Sequence, residues 1–330
     1  MDSTTAANMS VVKDSPLLRD HVVLVEGRMF VSFTNHLDAI RNMSKYKMRD
    51  DDVLISSYPR SGTHWTTAMV DLVMKEGDVE AVQNVNIHDR SSWLEYSKAA
   101  WAGTLDILAG EWGENPMDEA ERVESPRLFS THLGYDNVPE DVRQGKCKVI
   151  VTLRNPKSVL ASLYKFNQSA AMDAVFDKKP DQDLVLDCQL TDELYRTHYG
   201  PWMNNIEQWW IHKDELKGKI LFVVYEEMIK NMPKVLKEVA EFLNKDIPEE
   251  RIHKMADYLK FDNMKQSKAT GDALGKMKQG AKVDKNTELT HMCKGTIDDW
   301  KNVFTVAQNE RMDKFYTDRL EKIGLKLDFE

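Results

Sequence analysis

The stretch 53–65, VLISSYPRSGTHW, constrains this chain more than any other. Val53, Leu54 and Ile55 form an apolar run that reads as a buried strand. The run breaks at Tyr58-Pro59, where proline cannot join a ladder. The chain then turns through Arg60, Ser61, Gly62 and Thr63, and a helical pattern follows over 64–75. A strand, a tight loop with Gly and hydroxyls, and a helix start together build an anion site. First-turn N–H groups and the positive end of the helix dipole face such a loop, and Arg60 adds a full charge. The loop is read as a seat for a phosphate or a similar anion. An ordinary strand-to-helix turn with a chance arginine is the plainer alternative.

The loop departs from a Walker A sequence, in which Lys and then Ser/Thr follow the second Gly. Here Gly62 is followed by Thr63 and His64, and the basic residue precedes the Gly. The hydroxyl that would hold Mg²⁺ is displaced as well. An ordinary ATPase or nucleotide kinase is therefore disfavoured.

Further apolar runs alternate with helical patterns. A short strand is expected over 127–130, ending at Thr131-His132, and a second strong one over 148–153 (KVIVTL). Arg154-Asn155-Pro156 and a helix to about residue 166 follow, with Pro156 suited to the first turn. A helix is expected over 202–212 and a strand over 219–224 (KILFVV). Asn231 is placed as the cap of a helix whose apolar face is Val235, Leu236, Val239, Phe242 and Leu243. Helices are also expected over 248–259 and 306–323. Residues 167–190 read as an exposed loop, and 265–290 as a mobile segment, possible as a lid.

This order predicts an α/β protein: a single domain with a central, mainly parallel β-sheet flanked by helices, built on a P-loop-like strand-loop-helix unit. Residues 1–20 are expected to be a flexible N-terminal segment, with one domain over 21–330. Ligands of such sheets bind beyond the carboxyl ends of the strands. Arg60, His132 and Arg154 each follow a predicted strand, so the three are expected to converge there.

Composition narrows the partners. The 330 residues carry a net charge of −9, which disfavours broad nucleic-acid or acidic-membrane binding. A local cluster of cations must then hold any anionic ligand. The three cysteines, Cys147, Cys188 and Cys293, show no CxxC spacing, which argues for a reducing compartment and no structural zinc. No secretory h-region and no apolar run of about 18 residues is visible, so a cytoplasmic protein is expected.

Four segments in order resemble the cytosolic sulfotransferases, which use 3′-phosphoadenosine-5′-phosphosulfate (PAPS). Residues 58–65, YPRSGTHW, resemble the family's YPKSGTTW loop, which holds the 5′-phosphosulfate. Ser130-Thr131-His132-Leu133 carries the family's catalytic histidine. Arg154 through Ser162 resembles RNPKDVxxS. Lys294-Gly295, Asp299-Trp300-Lys301 and Phe304-Thr305 resemble RKGxxGDWKxxFT. The likeness spans about residues 25–325.

The resemblance implies the sulfotransferase fold and transfer of a sulfuryl group from PAPS to a hydroxyl or amine, leaving PAP and needing no metal. It makes His132 the general base, since imidazole can take a hydroxyl proton near neutral pH. Arg60 would stabilise charge growing on the departing phosphate, and Ser162 would restrain Arg60 until acceptor arrives. Ser61, Gly62, Thr63 and His64 would line the 5′ end of the donor. Arg154, Ser162, Met292, Lys294 and Gly295 would serve the nucleotide and its 3′-phosphate, and Trp65, Tyr199 and Phe261 would enclose adenine. Phe33, Trp93, Tyr96, His132 and Phe166 match acceptor-pocket positions, suited to an apolar alcohol or phenol. Lys301, Thr305, Val306 and Glu310 match a small homodimer contact.

Several departures bear on the donor site. Arg60 replaces Lys, His64 replaces a hydroxyl residue, and Cys293 replaces the Arg that opens RKG. Asp298 for Gly and Leu259 for an adenine-contacting Thr are smaller changes. Cys293 and His64 motivate a second reading, a PAPS- or PAP-binding protein with impaired catalysis. Sulfation followed by elimination, a net dehydration, is a further variant. Ser130 stands where phenol-preferring members carry Lys, which leans toward an alcohol acceptor.

Overall fold

The computed structural model describes residues 10–11, 22–25, 27–31, 36–97, 113–169, 176, 178–267, 269–270 and 297–327. Its centre is a five-stranded parallel sheet in the order β5-β6-β4-β7-β8. The strands are β4 (Val53–Ser57), β5 (Ser92–Trp93), β6 (Leu128–Thr131), β7 (Lys148–Leu153) and β8 (Ile220–Val224). Strand β4 lies in the middle, with Val53 opposite Leu128 on one side and Lys148 on the other.

The apolar runs are explained by burial on both faces. Leu54, Val149 and Val151 point into one core with Phe129, Trp202, Ile206 and Tyr316. Val53, Ile55 and Ile150 point into the other with Val70, Leu236, Val239 and Ile252. Alternate residues of one strand thus feed opposite cores, the expected period of two for a parallel sheet covered by helices. At the foot of the sheet, Arg127 donates to Asp52 from Nε (2.9 Å) and Nη2 (2.6 Å), both residues fully buried. This fork fixes the starts of β6 and β4 side by side.

The helices follow their caps. Asn155 accepts from the Lys157 N–H to open Pro156–Asn167, and Asn231 accepts from the Lys234 N–H to open Met232–Phe242. The latter buries Val235, Leu236, Val239 and Ala240. Thr305 and Gln308 form a reciprocal capping box at the start of Val306–Lys322.

One expectation is corrected. Residues 167–190, read as an exposed loop, contain the helix Gln182–Gln189, capped by Asp181 and burying Val185, Leu186 and Cys188. Eight residues are too few to show a clear helical period, and packing rather than propensity stabilises so short a helix. A separate antiparallel sheet joins β1 (Ser10–Val11), β2 (Val22–Val25) and β3 (Arg28–Val31). Strand β1 falls in the segment expected to be flexible; the rest of residues 1–20 lies outside the described residues, as do 268 and 271–290 of the expected lid.

Candidate active site

The loop after β4 is held in an unusual backbone shape. Arg60 (φ 71°) and Gly62 (φ 98°) are both left-handed. At Gly62 any side chain is excluded twice: by φ, and because a Cβ would lie 2.7 Å from the Tyr225 ring. Arg60, which has a Cβ, is held by Arg154, whose Nη1 donates to the Arg60 carbonyl at 2.7 Å. Tyr58 anchors the loop from below, donating to the Gly200 carbonyl (2.9 Å) and accepting from Gln189 (2.8 Å). The helix Thr63–Met74 starts directly at Gly62 without a side-chain cap. Its first-turn N–H groups have no partner within the helix.

Two further polar atoms mark the loop as an anion seat. Ser61 Oγ and Arg154 Nε are buried without a hydrogen-bond partner among the described residues. Buried polar groups are normally paired, so both suit a bound anion. The Arg154 guanidinium also covers the Tyr225 ring at 4.1 Å.

Arg60, His132 and Arg154 do converge, because β4, β6 and β7 are neighbours running in one direction and each residue follows its strand. The Arg60 Nε donates to Ser162 Oγ at 3.1 Å, and its guanidinium lies over the Phe166 ring at 5.0 Å. His132 Nδ1 lies 2.7 Å from the Ser57 carbonyl. A carbonyl only accepts, so Nδ1 carries the proton and Nε2 is the basic nitrogen. The ring is enclosed by those of Trp93 (4.9 Å), Tyr199 (5.3 Å) and Tyr96 (6.4 Å). That enclosure pushes His132 down to about 4, with the Ser57 carbonyl opposing and Arg60 adding to the shift. The imidazole is therefore neutral at ordinary pH.

The remaining expected residues divide. Trp65 donates its indole N–H to the Leu259 carbonyl (2.9 Å) and meets Tyr225 edge-on at 5.2 Å. Phe261 opens the next helix, Phe261–Gln266, just beyond Leu259. Tyr199, expected beside adenine with these two, is placed with the His132 cluster instead: its hydroxyl is 2.5 Å from that of Tyr96, and its ring packs on Phe30. Thr63 shares a 2.6 Å hydrogen bond with Ser57. His64 is buried, 3.3 Å from His88 between Nε2 atoms, and burial followed by His132 and Arg60 pushes it down to about 3. Ser130 is fully buried and bonded to Thr67 at 2.9 Å. Phe33, Met292, Lys294 and Gly295 lie outside the described residues.

Three neighbours were not read from the sequence: Tyr225, His88 and Glu95. Tyr225 follows β8, so the rule that selected Arg60, His132 and Arg154 also covers it. His88 sits in a four-residue helix, Ile87–Arg90, with no usable period. Glu95 is a lone carboxylate in the aromatic stretch SSWLEY, which was a usable signal. A surface groove along Val306–Lys322, lined by Leu190, Phe315 and charged residues, shares none of these side chains.

A parallel sheet whose central strand feeds an anion loop, with a cation and a neutral imidazole on adjacent strands, defines an α/β group-transfer enzyme. Comparison with known proteins identifies the group. The Sulfotransferase domain family matches residues 50–324. Mouse sulfotransferase 1 family member D1 is 30% identical over 316 residues, covering 94% of this chain and 96% of that protein. Human sulfotransferase 2A1 is 31% identical, covering 94% and 99%. A retinol dehydratase solved with androsterone and the inactive cofactor PAP shares the fold, with TM-score 0.77 and 19% identity over 94% of this chain and 92% of that one. Mouse sulfotransferase SULT7A1, solved with PAP, has TM-score 0.68 and 24% identity over 91% and 95%. The chain belongs to the sulfotransferase domain family, and its activity is sulfuryl transfer.

Proposed function

We propose that PAPS is the donor, that a small apolar molecule bearing a hydroxyl or amine is the acceptor, and that His132 is the general base. The observation that carries this reading is the Nδ1 hydrogen bond to Ser57, which leaves Nε2 as the proton-accepting atom beside Arg60. PAPS would supply a sulfuryl group on a phosphate leaving group. The two orphaned atoms, Ser61 Oγ and Arg154 Nε, and the first-turn N–H groups suit its anionic parts. Arg60 offsets the charge that grows on the departing phosphate. Its present bond to Ser162 holds it aside from that task. Trp93, Tyr96 and Phe166 offer apolar surface to the acceptor, and the buried Ser130 adds no charge there.

Turnover of labelled PAPS with a panel of alcohols, phenols and amines tests the assignment, with calorimetry of PAP as a control. Wild-type turnover and its loss in His132→Ala, with PAP binding kept, is the expected result. Turnover that survives His132→Ala would reject the base, and failure to bind PAP would reject the donor. The domain is taken to span 21–330. Two buried free thiols, Cys147 and Cys188, support a reducing, cytoplasmic setting. The chain is also assigned as a homodimer through Lys301, Thr305, Val306 and Glu310; Val306 is 76% exposed, although apolar.

A further inference from the structure

Glu95 is fully buried directly behind the His132 main chain. Parallel pairing of β5 with β6 brings it there. Trp93 lies opposite Ser130, and Leu94 continues the pairing by donating to the Ser130 carbonyl at 3.2 Å. The carboxylate then accepts from Thr131 Oγ1 (2.8 Å), the His132 N–H (2.7 Å) and the Tyr199 hydroxyl (3.4 Å). Its own carbonyl accepts from the His36 N–H at 2.8 Å. Among the described residues no Lys or Arg pairs with it. A carboxylate in so dry a place, held only by neutral donors, is costly for stability. The fold places that cost at the residue that carries the base.

We propose that Glu95 is a positioning residue for sulfuryl transfer: it clamps the main chain of His132 and supplies the negative charge that stabilises the imidazolium formed when His132 takes the acceptor proton. The inference rests on His132 being the base. Its physics is local. His132 enclosed among aromatic rings is a weak base, and Arg60 opposes a second positive charge nearby. Ser57 offers only a carbonyl dipole. An ionised Glu95, 2.7 Å from the main-chain nitrogen of His132, supplies the missing charge inside a low-dielectric pocket. Protonating Glu95 removes that charge and leaves the geometry nearly unchanged.

The pair therefore has a pH signature. Burial pushes Glu95 up to about 7, against the hydrogen bonds from His132, Thr131 and Tyr199. The other ionisable groups around it and around His132 are Tyr96 and Tyr199, His36, which burial holds below the usual imidazole range, His64 and His198, which burial pushes down to about 3, and Arg60 on the loop. Turnover is expected to fall as pH drops through about 7, where Glu95 protonates, although His132 itself stays neutral down to about 4.

The test is Glu95→Gln and Thr131→Val, followed by kcat and donor KM against pH and by imidazole NMR of donor-free protein. Glu95→Gln should lower kcat by about tenfold or more, the equivalent of one pKa unit of lost interaction, with donor KM unchanged. The acid limb near neutrality should vanish, and so should the step that the wild-type His132 imidazole shifts show near pH 7, where Glu95 changes charge. Thr131→Val, which removes one donor to the carboxylate, should move that limb to higher pH. A Glu95→Gln enzyme that keeps the wild-type limb and the wild-type step in its His132 shifts near pH 7 overturns the proposal. The NMR shift does not depend on turnover, so failure here is distinct from failure of His132 as base, which His132→Ala reports.

Discussion

His132 and Ser57 are joined by a 2.7 Å hydrogen bond from imidazole Nδ1 to a main-chain carbonyl. Ser57 is the last residue of β4, the strand that feeds the anion loop. The same strand therefore orients both the loop and the imidazole. The bond predicts one tautomer. Imidazole ¹⁵N shifts should show Nδ1 protonated and Nε2 unprotonated from neutrality down to about 4. A mixture of tautomers at neutral pH would contradict it.

Arg60 is expected to act in the transition state, not in acceptor binding. Arg60→Ala should lose about 10²–10³ in kcat, the scale of removing one preorganised stabilising donor. Arg60→Lys keeps the charge but gives up the planar contact over Phe166 and the Nε bond to Ser162. It should fall between the two. Single-turnover rates at saturating donor give the comparison, and an unimpaired alanine variant would remove Arg60 from the mechanism.

Gly62 carries a structural demand that can be read independently of activity. Gly62→Ala places a methyl at a left-handed φ and 2.7 Å from the Tyr225 ring. It should destabilise the protein by more than about 1 kcal/mol, the penalty exceeding the usual Gly→Ala gain. Urea unfolding of the variant measures this. An unchanged midpoint would show that the loop can relax.

Stability should fall in mild acid. Burial holds His64 at about 3 and His132 at about 4 in the folded protein. In the unfolded chain such imidazoles protonate near about 6.5. Below that value the unfolded state binds more protons, so stability is lost as pH falls towards the folded values. Glu95, raised to about 7, works in the opposite sense: its contribution is complete below the unfolded carboxylate value and fades as pH rises through about 7. Urea midpoints should decline between neutrality and about pH 5, and more steeply in Glu95→Gln, where the opposing uptake is gone. A midpoint independent of pH would contradict both shifts.

Val306 opens the last helix and leaves most of its side chain in solvent. Thr305 beside it is occupied in the capping box, so Val306 is the apolar member available to a second copy. Val306→Glu should give a monomer by sedimentation while turnover is kept. A wild-type monomer at micromolar concentration would end the dimer assignment.

Several elements were legible because their signal is local. The runs at 53–55 and 148–153 became β4 and β7, since strands buried on both faces are mainly apolar, and 219–224 became the half-buried edge strand β8. Asn155, Pro156 and Asn231 marked helix starts through their own hydrogen-bonding chemistry. The helix Gln182–Gln189 escaped notice because it exists through its packing, and Gln189 spends its amide on Tyr58, far away in sequence.

The amino-acid order alone determined the anion loop and three residues on strand ends, because a parallel sheet puts every such position on one edge. Only the tertiary structure decided their company. Glu95 behind His132, Tyr225 over Gly62 and His88 against His64 are each joined by side chains from separate segments. Tyr199 joined the histidine rather than Trp65 for the same reason. Periodicity reports which face of an element is buried; which distant side chain meets it there is set by the three-dimensional packing of the whole chain.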